Sequence, residues 1–158
     1  MTFKKGLPHF AAGTVVKGFG RGSKELGIPT ANFEPHVVKE LPVELETGVY
    51  FGWAQIDNGA IHKMVMSVGW NPYYKNVEKS METHILHKFP SDFYGRYLKV
   101  CMLGYLRPEK DYSSLDALVA DIRNDISEAE KQLEQSAYIT LKSHEFFTSD
   151  SKKVDNNQ

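Results

Sequence analysis

Cysteine is nearly absent from this sequence. Its 158 residues include one, Cys101, which excludes an intramolecular disulfide and a zinc site built from cysteine thiolates. Long apolar runs are also missing, since none reaches the roughly 18 residues that a membrane-spanning helix needs. The first ten residues, MTFKKGLPHF, lack the apolar centre of a secretory signal peptide. We therefore expect a cytoplasmic protein with no membrane partner, and a single thiol is compatible with a reducing compartment.

An excess of charge of one sign is absent as well. The chain has 19 Lys and Arg against 20 Asp and Glu, a net charge of −1, so no global field recruits nucleic acid. With 41% hydrophobic and 25% charged residues, its composition is that of an ordinary globular protein. The length fits one domain with a real core. We expect one monomeric domain over residues 1–148 and a disordered polar tail over residues 149–158.

The distribution of aromatic and β-branched residues predicts a mainly β protein. Turn signals recur at a spacing typical of barrels and sandwiches. Asp57-Asn58-Gly59 predicts a hairpin, since Asn-Gly suits a type I′ turn. The predicted strands cover residues 10–17, 48–56, 61–70, 80–87 and 97–106.

In two of these predicted strands, the alternation of side chains assigns residues to opposite faces of the sheet. In the segment 61–70, Met64, Met66 and Val68 share one face, and Val65 and Ser67 share the other. In the segment 80–87, one face carries Met81, Thr83, Ile85 and His87, and the other carries Glu82, His84 and Leu86.

The last part of the chain changes to a helical period. Apolar residues recur there at steps of three and four, which predicts a helix of roughly five turns. Ser113, with Asp116 three residues later, is the predicted N-cap. We interpret the stripe as a face that packs on the sheet rather than as a surface for a partner. Its members are Leu115, Leu118, Val119, Ile122, Ile126, Ala129 and Leu133.

Residues 18–33, GFGRGSKELGIPTANF, contain the densest group of candidate ligand-binding residues. A glycine-rich backbone can present successive N–H groups to an anion, and Arg21 and Lys24 could neutralise phosphate charge. Thr30 and Asn32 offer neutral oxygens that suit magnesium. Composition alone favours an ordinary surface loop. The segment matches neither a Walker A loop nor G-x-G-x-x-G, because Ser23 stands at the third glycine position.

Glu82 is the acidic residue that the strand pattern leaves unexplained, because glutamate is depleted in strands. It could act as a general base, or it could be an edge-strand or solvent-facing residue. His84 and His87 form an H-x-x-H pair, but residues three apart on a strand point to opposite faces, which disfavours a shared metal ion. We interpret them as structural histidines, or as one histidine lining a nucleotide pocket. No G-x-S-x-G segment supports serine hydrolysis.

Five collinear segments resemble the riboflavin kinase family of the eukaryotic, single-function type: GFGRGSKELGIPTANF, VGWNPYY, SMETHILH, FYG and GYLRPEK. The resemblance spans about residues 8–147. It implies a six-stranded antiparallel Greek-key β-barrel with a C-terminal α-helix packed on it. It also implies transfer of the γ-phosphate of ATP to the ribityl 5′-hydroxyl of riboflavin, giving FMN and ADP. The adenylyltransferase domain of bacterial relatives, and FAD synthesis with it, is not expected in this chain.

The resemblance also assigns roles to residues at matching positions. Glu82 is the expected catalytic base, and Thr30 and Asn32 are the expected ligands of Mg²⁺, with Zn²⁺ or Mn²⁺ left open as replacements. The other implied positions are Gly18, Gly20, Arg21, Lys24 and Thr30 at the ATP phosphates, Ile85, His87 and Tyr94 at the adenine end, and Arg107, Lys110 and Tyr112 in a flap over the flavin.

Two other classes of function remain as alternatives. A flavin- or nucleotide-binding barrel without turnover would need no catalytic Glu82. A nucleic-acid binder with a small β-barrel is a third class, against which the net charge of −1 and the lack of an extended basic stripe argue.

Overall fold

The computed structural model of the chain describes residues 3–16, 30–70 and 79–148. Its strands are β1 (His9–Val16), β2 (Thr30–Phe33), β3 (Gly48–Ile56), β4 (Ile61–Trp70), β5 (Lys79–Ile85) and β6 (Tyr97–Arg107). Its helices are α1 (Pro35–Val38), α2 (Leu115–Gln132), α3 (Ser136–Ile139) and α4 (Glu145–Thr148), with a 3₁₀ turn at Thr140–Ser143. Outside the described residues lie the predicted phosphate-binding residues Gly18, Gly20, Arg21 and Lys24, and the predicted disordered tail 149–158.

The six strands form a closed barrel in the order β1-β2-β5-β4-β3-β6, and every pairing is antiparallel. Strands β3, β4 and β5 follow one another, and β6 returns to lie beside β3, which is the Greek-key arrangement. The predicted six-stranded barrel with a C-terminal helix is confirmed. Because β5 pairs with both β2 and β4, Glu82 does not lie on an edge strand, and the edge-strand interpretation is wrong.

The period of two in the strands separates two apolar cores. Met64 and Met66 of β4 point into the barrel interior, whereas Val65 points outward into a second cluster under α2. The face assignment of residues 61–70 is therefore confirmed. In β5, Met81 and Ile85 belong to the interior core. The strand ends at Ile85, however, so His87 lies beyond the regular alternation that predicted its face.

Helix α2 covers the outer face of the barrel, where it contacts β3, β4 and β6. Its N-cap is Ser114, whose Oγ accepts a hydrogen bond from the Ala117 N–H at 3.2 Å. The predicted cap, Ser113, is wrong by one residue, because Ser114 has the extended backbone (φ −151°, ψ 158°) that a cap needs. The apolar stripe packs on the barrel through Ala129, Leu133 and Ile126, but Leu115 remains 52% exposed.

The β3–β4 hairpin forms at the predicted place with a different turn. The Gly59 N–H donates to the Ile56 carbonyl at 3.0 Å, and the left-handed φ of 54° falls on Asp57. A type I′ turn needs positive φ at both central residues, and Asn58 is not among the described residues with positive φ. The predicted turn type is therefore wrong. Asp57 is held by contacts from the start of the neighbouring strand β6, since its carboxylate accepts from Arg96 Nε at 2.7 Å and from the Tyr97 N–H at 3.1 Å.

Within the described residues, no helix combines the length and the apolar character that crossing a membrane would require.

Candidate active site

The pairing of β2 with β5 brings four polar residues onto one outer patch of the barrel. Asn32 lies opposite Glu82, and Thr30 lies opposite His84. Directly opposed residues in antiparallel strands project from the same face of the sheet. The intervening pair, Ala31 and Thr83, is fully buried, so the other two pairs point outward. We call Thr30, Asn32, Glu82 and His84 the polar quartet.

The centre of the polar quartet is a contact between two side chains of β5. His84 Nε2 lies 3.2 Å from Glu82 Oε1, and the two side chains are only 7% and 14% exposed. Asn32 is also buried, and its Nδ2 has no hydrogen-bond partner among the described residues. The quartet therefore contains a largely buried carboxylate beside an amide whose nitrogen has no partner among the described residues.

A cavity of about 440 Å³ extends from Glu82 and His84 to α2. One wall is the outer surface of the barrel, including Val49 and Val65, and the opposite wall includes Leu118 and Ile122 of α2. The cavity is therefore a slot with two apolar sides and with a carboxylate at one end. Such a slot suits a flat apolar ring system that carries a polar substituent.

Residues 107–112, which we call the flap, border the same cavity. Arg107 is bound to Asp125 of α2 through two hydrogen bonds of 2.8 Å. Lys110 Nζ and the Tyr112 hydroxyl both bind Asp121 Oδ2, at 2.8 and 2.9 Å. The hydrogen bond from Lys110, followed by the bond from Tyr112, lowers the pKa of Asp121. Two carboxylates of one helix thus hold both ends of the flap.

The three residues predicted at the adenine end lie away from the cavity lining. Ile85 is in the barrel interior. His87 is exposed, and its ring stacks on His62 with 4.0 Å between centroids. Tyr94 is 43% exposed and its ring lies 6.5 Å from that of Phe93. Their contact with a nucleotide stays a prediction.

Of the residues predicted from the sequence, Glu82, Arg107, Lys110 and Tyr112 line the cavity, and Thr30 and Asn32 lie beside Glu82 and His84 in register. Sequence reasoning gave no site role to Asp121 or Asp125, and for His84 it gave only the alternative of lining a nucleotide pocket. The shared face of Glu82 and His84 was a signal for the histidine. Nothing in the sequence indicated the two aspartates of α2, because their partners lie in the flap, outside the helix.

A closed antiparallel barrel, a largely buried carboxylate and a slot under a helix are together typical of a small β-barrel enzyme that acts on a small molecule. The family model described as "Flavokinase: Riboflavin kinase" matches residues 5–133. The chain is 56% identical over 152 residues to the riboflavin kinase of Mus musculus, covering 96% of this chain and 98% of that protein. It is 55% identical over 150 residues to the riboflavin kinase of Homo sapiens, covering 95% and 97%.

A solved structure supports the same family assignment at lower sequence identity. The riboflavin kinase from Trypanosoma brucei superposes with a TM-score of 0.74 at 27% identity, covering 96% of this chain and 93% of that one. The chain therefore belongs to the riboflavin kinase family, whose members phosphorylate riboflavin to FMN with ATP. The predicted kinase activity is confirmed, and the non-catalytic alternative is not favoured.

Proposed function

We propose that the γ-phosphate of ATP is transferred to the ribityl 5′-hydroxyl of riboflavin at the Glu82 end of the cavity, with Glu82 as the general base. One observation carries the proposal: β2 and β5 pair so that Asn32 lies directly opposite Glu82. This register brings a neutral oxygen ligand and a carboxylate to one face, beside a slot suited to a flat ring. The catalytic role of Glu82 and the ligand roles of the other residues are parts of this proposal.

The residues near Glu82 fit a magnesium ion that binds together with the nucleotide. Thr30 and Asn32 supply hard, neutral oxygens, and Asn32 Nδ2, which is buried without a partner among the described residues, leaves an N–H donor for a phosphate oxygen of the nucleotide. The described part of the chain holds no group of three or more His, Cys, Asp or Glu side chains able to bind a metal. Such a site therefore relies on phosphate oxygens for further ligands. When bound, the ion neutralises charge on the phosphates during transfer.

The protein's own part in the reaction is positioning and proton removal. Phosphoryl transfer passes through a loose transition state, so alignment of the hydroxyl with the phosphate does most of the work. The apolar walls, with Val65 on the barrel and Leu118 on α2, hold the flavin ring in the slot. The ribityl chain then extends toward Glu82, which accepts the hydroxyl proton as bonding to phosphorus develops. Arg107, Lys110 and Tyr112 close the slot at the flap.

The remaining assignments complete the proposal. The nucleotide phosphates bind residues of the 18–33 segment, and adenine binds near His87 and Tyr94, where exposed rings offer a stacking surface. The chain works as a single domain over residues 1–148, as a cytoplasmic monomer. A lone cysteine is compatible with the reducing cytoplasm.

The test is product identification after incubation with riboflavin, ATP and MgCl₂, in the parent protein and in Glu82→Gln. We expect the parent to form FMN and ADP, and the variant to lose roughly 10²–10⁴-fold in kcat while its Kd for the nucleotide stays unchanged. Glu130→Gln, on the exposed side of α2, is the matched control for loss of a carboxylate. Turnover at the parental rate in Glu82→Gln would remove Glu82 from the role of base.

A further inference from the structure

His84 is the member of the polar quartet whose role the family resemblance leaves open. Its Nε2 lies 3.2 Å from Glu82 Oε1, its side chain is 7% exposed, and it borders the cavity. It lies between Thr30 on β2 and Val65 on β4 in register. His84 is thus flanked by residues of both neighbouring strands, and it borders the same slot as Glu82.

The contact with Glu82 determines which nitrogen of His84 carries a proton. An ionised carboxylate only accepts hydrogen bonds, so Nε2 is the donor. The other nitrogen, Nδ1, is buried and has no partner among the described residues. The ring therefore makes one directed hydrogen bond, and that bond goes to the carboxylate proposed as the base.

We propose that His84 is a positioning residue for phosphate transfer, which holds the Glu82 carboxylate in the orientation that accepts the ribityl hydroxyl proton. This inference rests on the proposed role of Glu82. The proton moves from the hydroxyl oxygen to Glu82 as the oxygen–phosphorus bond forms, and His84 neither gains nor loses one. Without the hydrogen bond from His84, the carboxylate would spend more of its time in orientations that cannot accept the proton, which lowers kcat rather than substrate affinity.

The first test uses three substitutions that separate hydrogen bonding from volume. The amide nitrogen of Gln reaches the position of the histidine Nε2, whereas that of Asn reaches only the position of Nδ1. We expect His84→Leu and His84→Asn to lower kcat by about 10- to 100-fold, the effect of losing one hydrogen bond to a charged group. The KM values for riboflavin and ATP should stay within about threefold. His84→Gln should recover most of kcat.

A second test asks whether His84 acts through Glu82. In the Glu82→Gln background, His84→Leu should reduce kcat little further, since residues that act as a unit are non-additive. If the double variant instead loses kcat by the product of the two single-variant losses, the inference is wrong. Parental kcat in His84→Leu, or equal kcat in the Gln and Asn variants, would also overturn it. His36→Leu, an exposed histidine of α1, is the control.

The outcomes for the two proposals can be told apart. If Glu82→Gln keeps parental kcat, the proposed base is wrong and the inference falls with it. If Glu82→Gln loses turnover while His84→Leu does not, the base stands and only the positioning role is wrong. Thermal melting of each variant identifies loss of folding. Should His84→Leu not fold, the comparison of the Gln and Asn variants, which are both polar, decides the question.

Discussion

Arg107 and Asp125 form a two-point ion pair that joins the last strand of the barrel to the helix that covers it. Arg107 Nε binds Asp125 Oδ1 and Nη2 binds Oδ2, each at 2.8 Å. The Asp125 side chain is only 6% exposed, and its hydrogen bond raises the pKa of Arg107. Arg107 is the first residue of the flap and Asp125 belongs to α2. This pair therefore fixes the flap relative to α2, and both border the cavity.

Removal of Asp125 should destabilise the protein strongly. Asp125→Ala leaves the Arg107 guanidinium without its partner, and breaking a largely buried pair costs about 3 kcal/mol. Chemical denaturation measures the free energy of unfolding. Glu130→Ala, an exposed change on the same helix, should alter it by less than about 0.5 kcal/mol. Equal effects of the two substitutions would show that the pair contributes nothing.

The magnesium requirement should depend on Asn32. Asn32→Ala removes a proposed metal ligand, so the Mg²⁺ concentration for half-maximal rate should rise about tenfold if that ligand contributes about 1.4 kcal/mol. A magnesium titration of FMN formation at saturating riboflavin measures this shift. Asn58→Ala, in the exposed β3–β4 turn, is the control. A variant curve that overlays the parental curve would contradict the proposed ligand.

The helix cap can be tested with two adjacent serines. Ser114→Ala removes the hydrogen bond to the Ala117 N–H and should lower the free energy of unfolding by about 1 kcal/mol. Ser113→Ala removes a hydroxyl at the neighbouring position and should have an effect below about 0.5 kcal/mol. Urea unfolding curves of both variants give the comparison. The reverse ranking would restore Ser113 as the cap.

Protonation of His62 should account for part of the loss of folding stability at acid pH. Burial, the adjacent His87 and the more distant Lys142, in that order, lower the pKa of His62 below 6.5. The folded state therefore favours the neutral ring. The contribution of His62 to the free energy of unfolding is complete above pH 6.5, and it is lost as the pH falls through the lower pKa of the folded state. NMR titration of the ring protons should give a pKa below 6.5.

The matched variant for this effect is His62→Phe. It keeps an aromatic ring against His87, where the native centroids are 4.0 Å apart, but it removes the titrating group. Its free energy of unfolding should fall less steeply than that of the parent between neutral pH and pH 5. Parallel pH profiles for the two proteins would assign the acid sensitivity to other groups.

Strong local periodicity predicted most of the elements. The strand predictions for residues 48–56 and 61–70 coincide with β3 and β4, and the helical stripe starts where α2 starts. Strand β2, Thr30–Phe33, was not predicted from the pattern. It has only four residues, which is too short for an alternation to be recognised, and it follows a glycine-rich stretch that resembles a loop.

The sequence by itself determined which side chains share a face within one element. Glu82 and His84 lie two residues apart on a strand, so the pleat alone places them together. Only the tertiary structure decided what lies next to them. Asn32 faces Glu82 because the barrel closes with β2 beside β5, and Arg107 meets Asp125 because α2 packs across the outer face. Local periodicity depends on backbone geometry over a few residues, whereas these partners depend on the packing of distant segments.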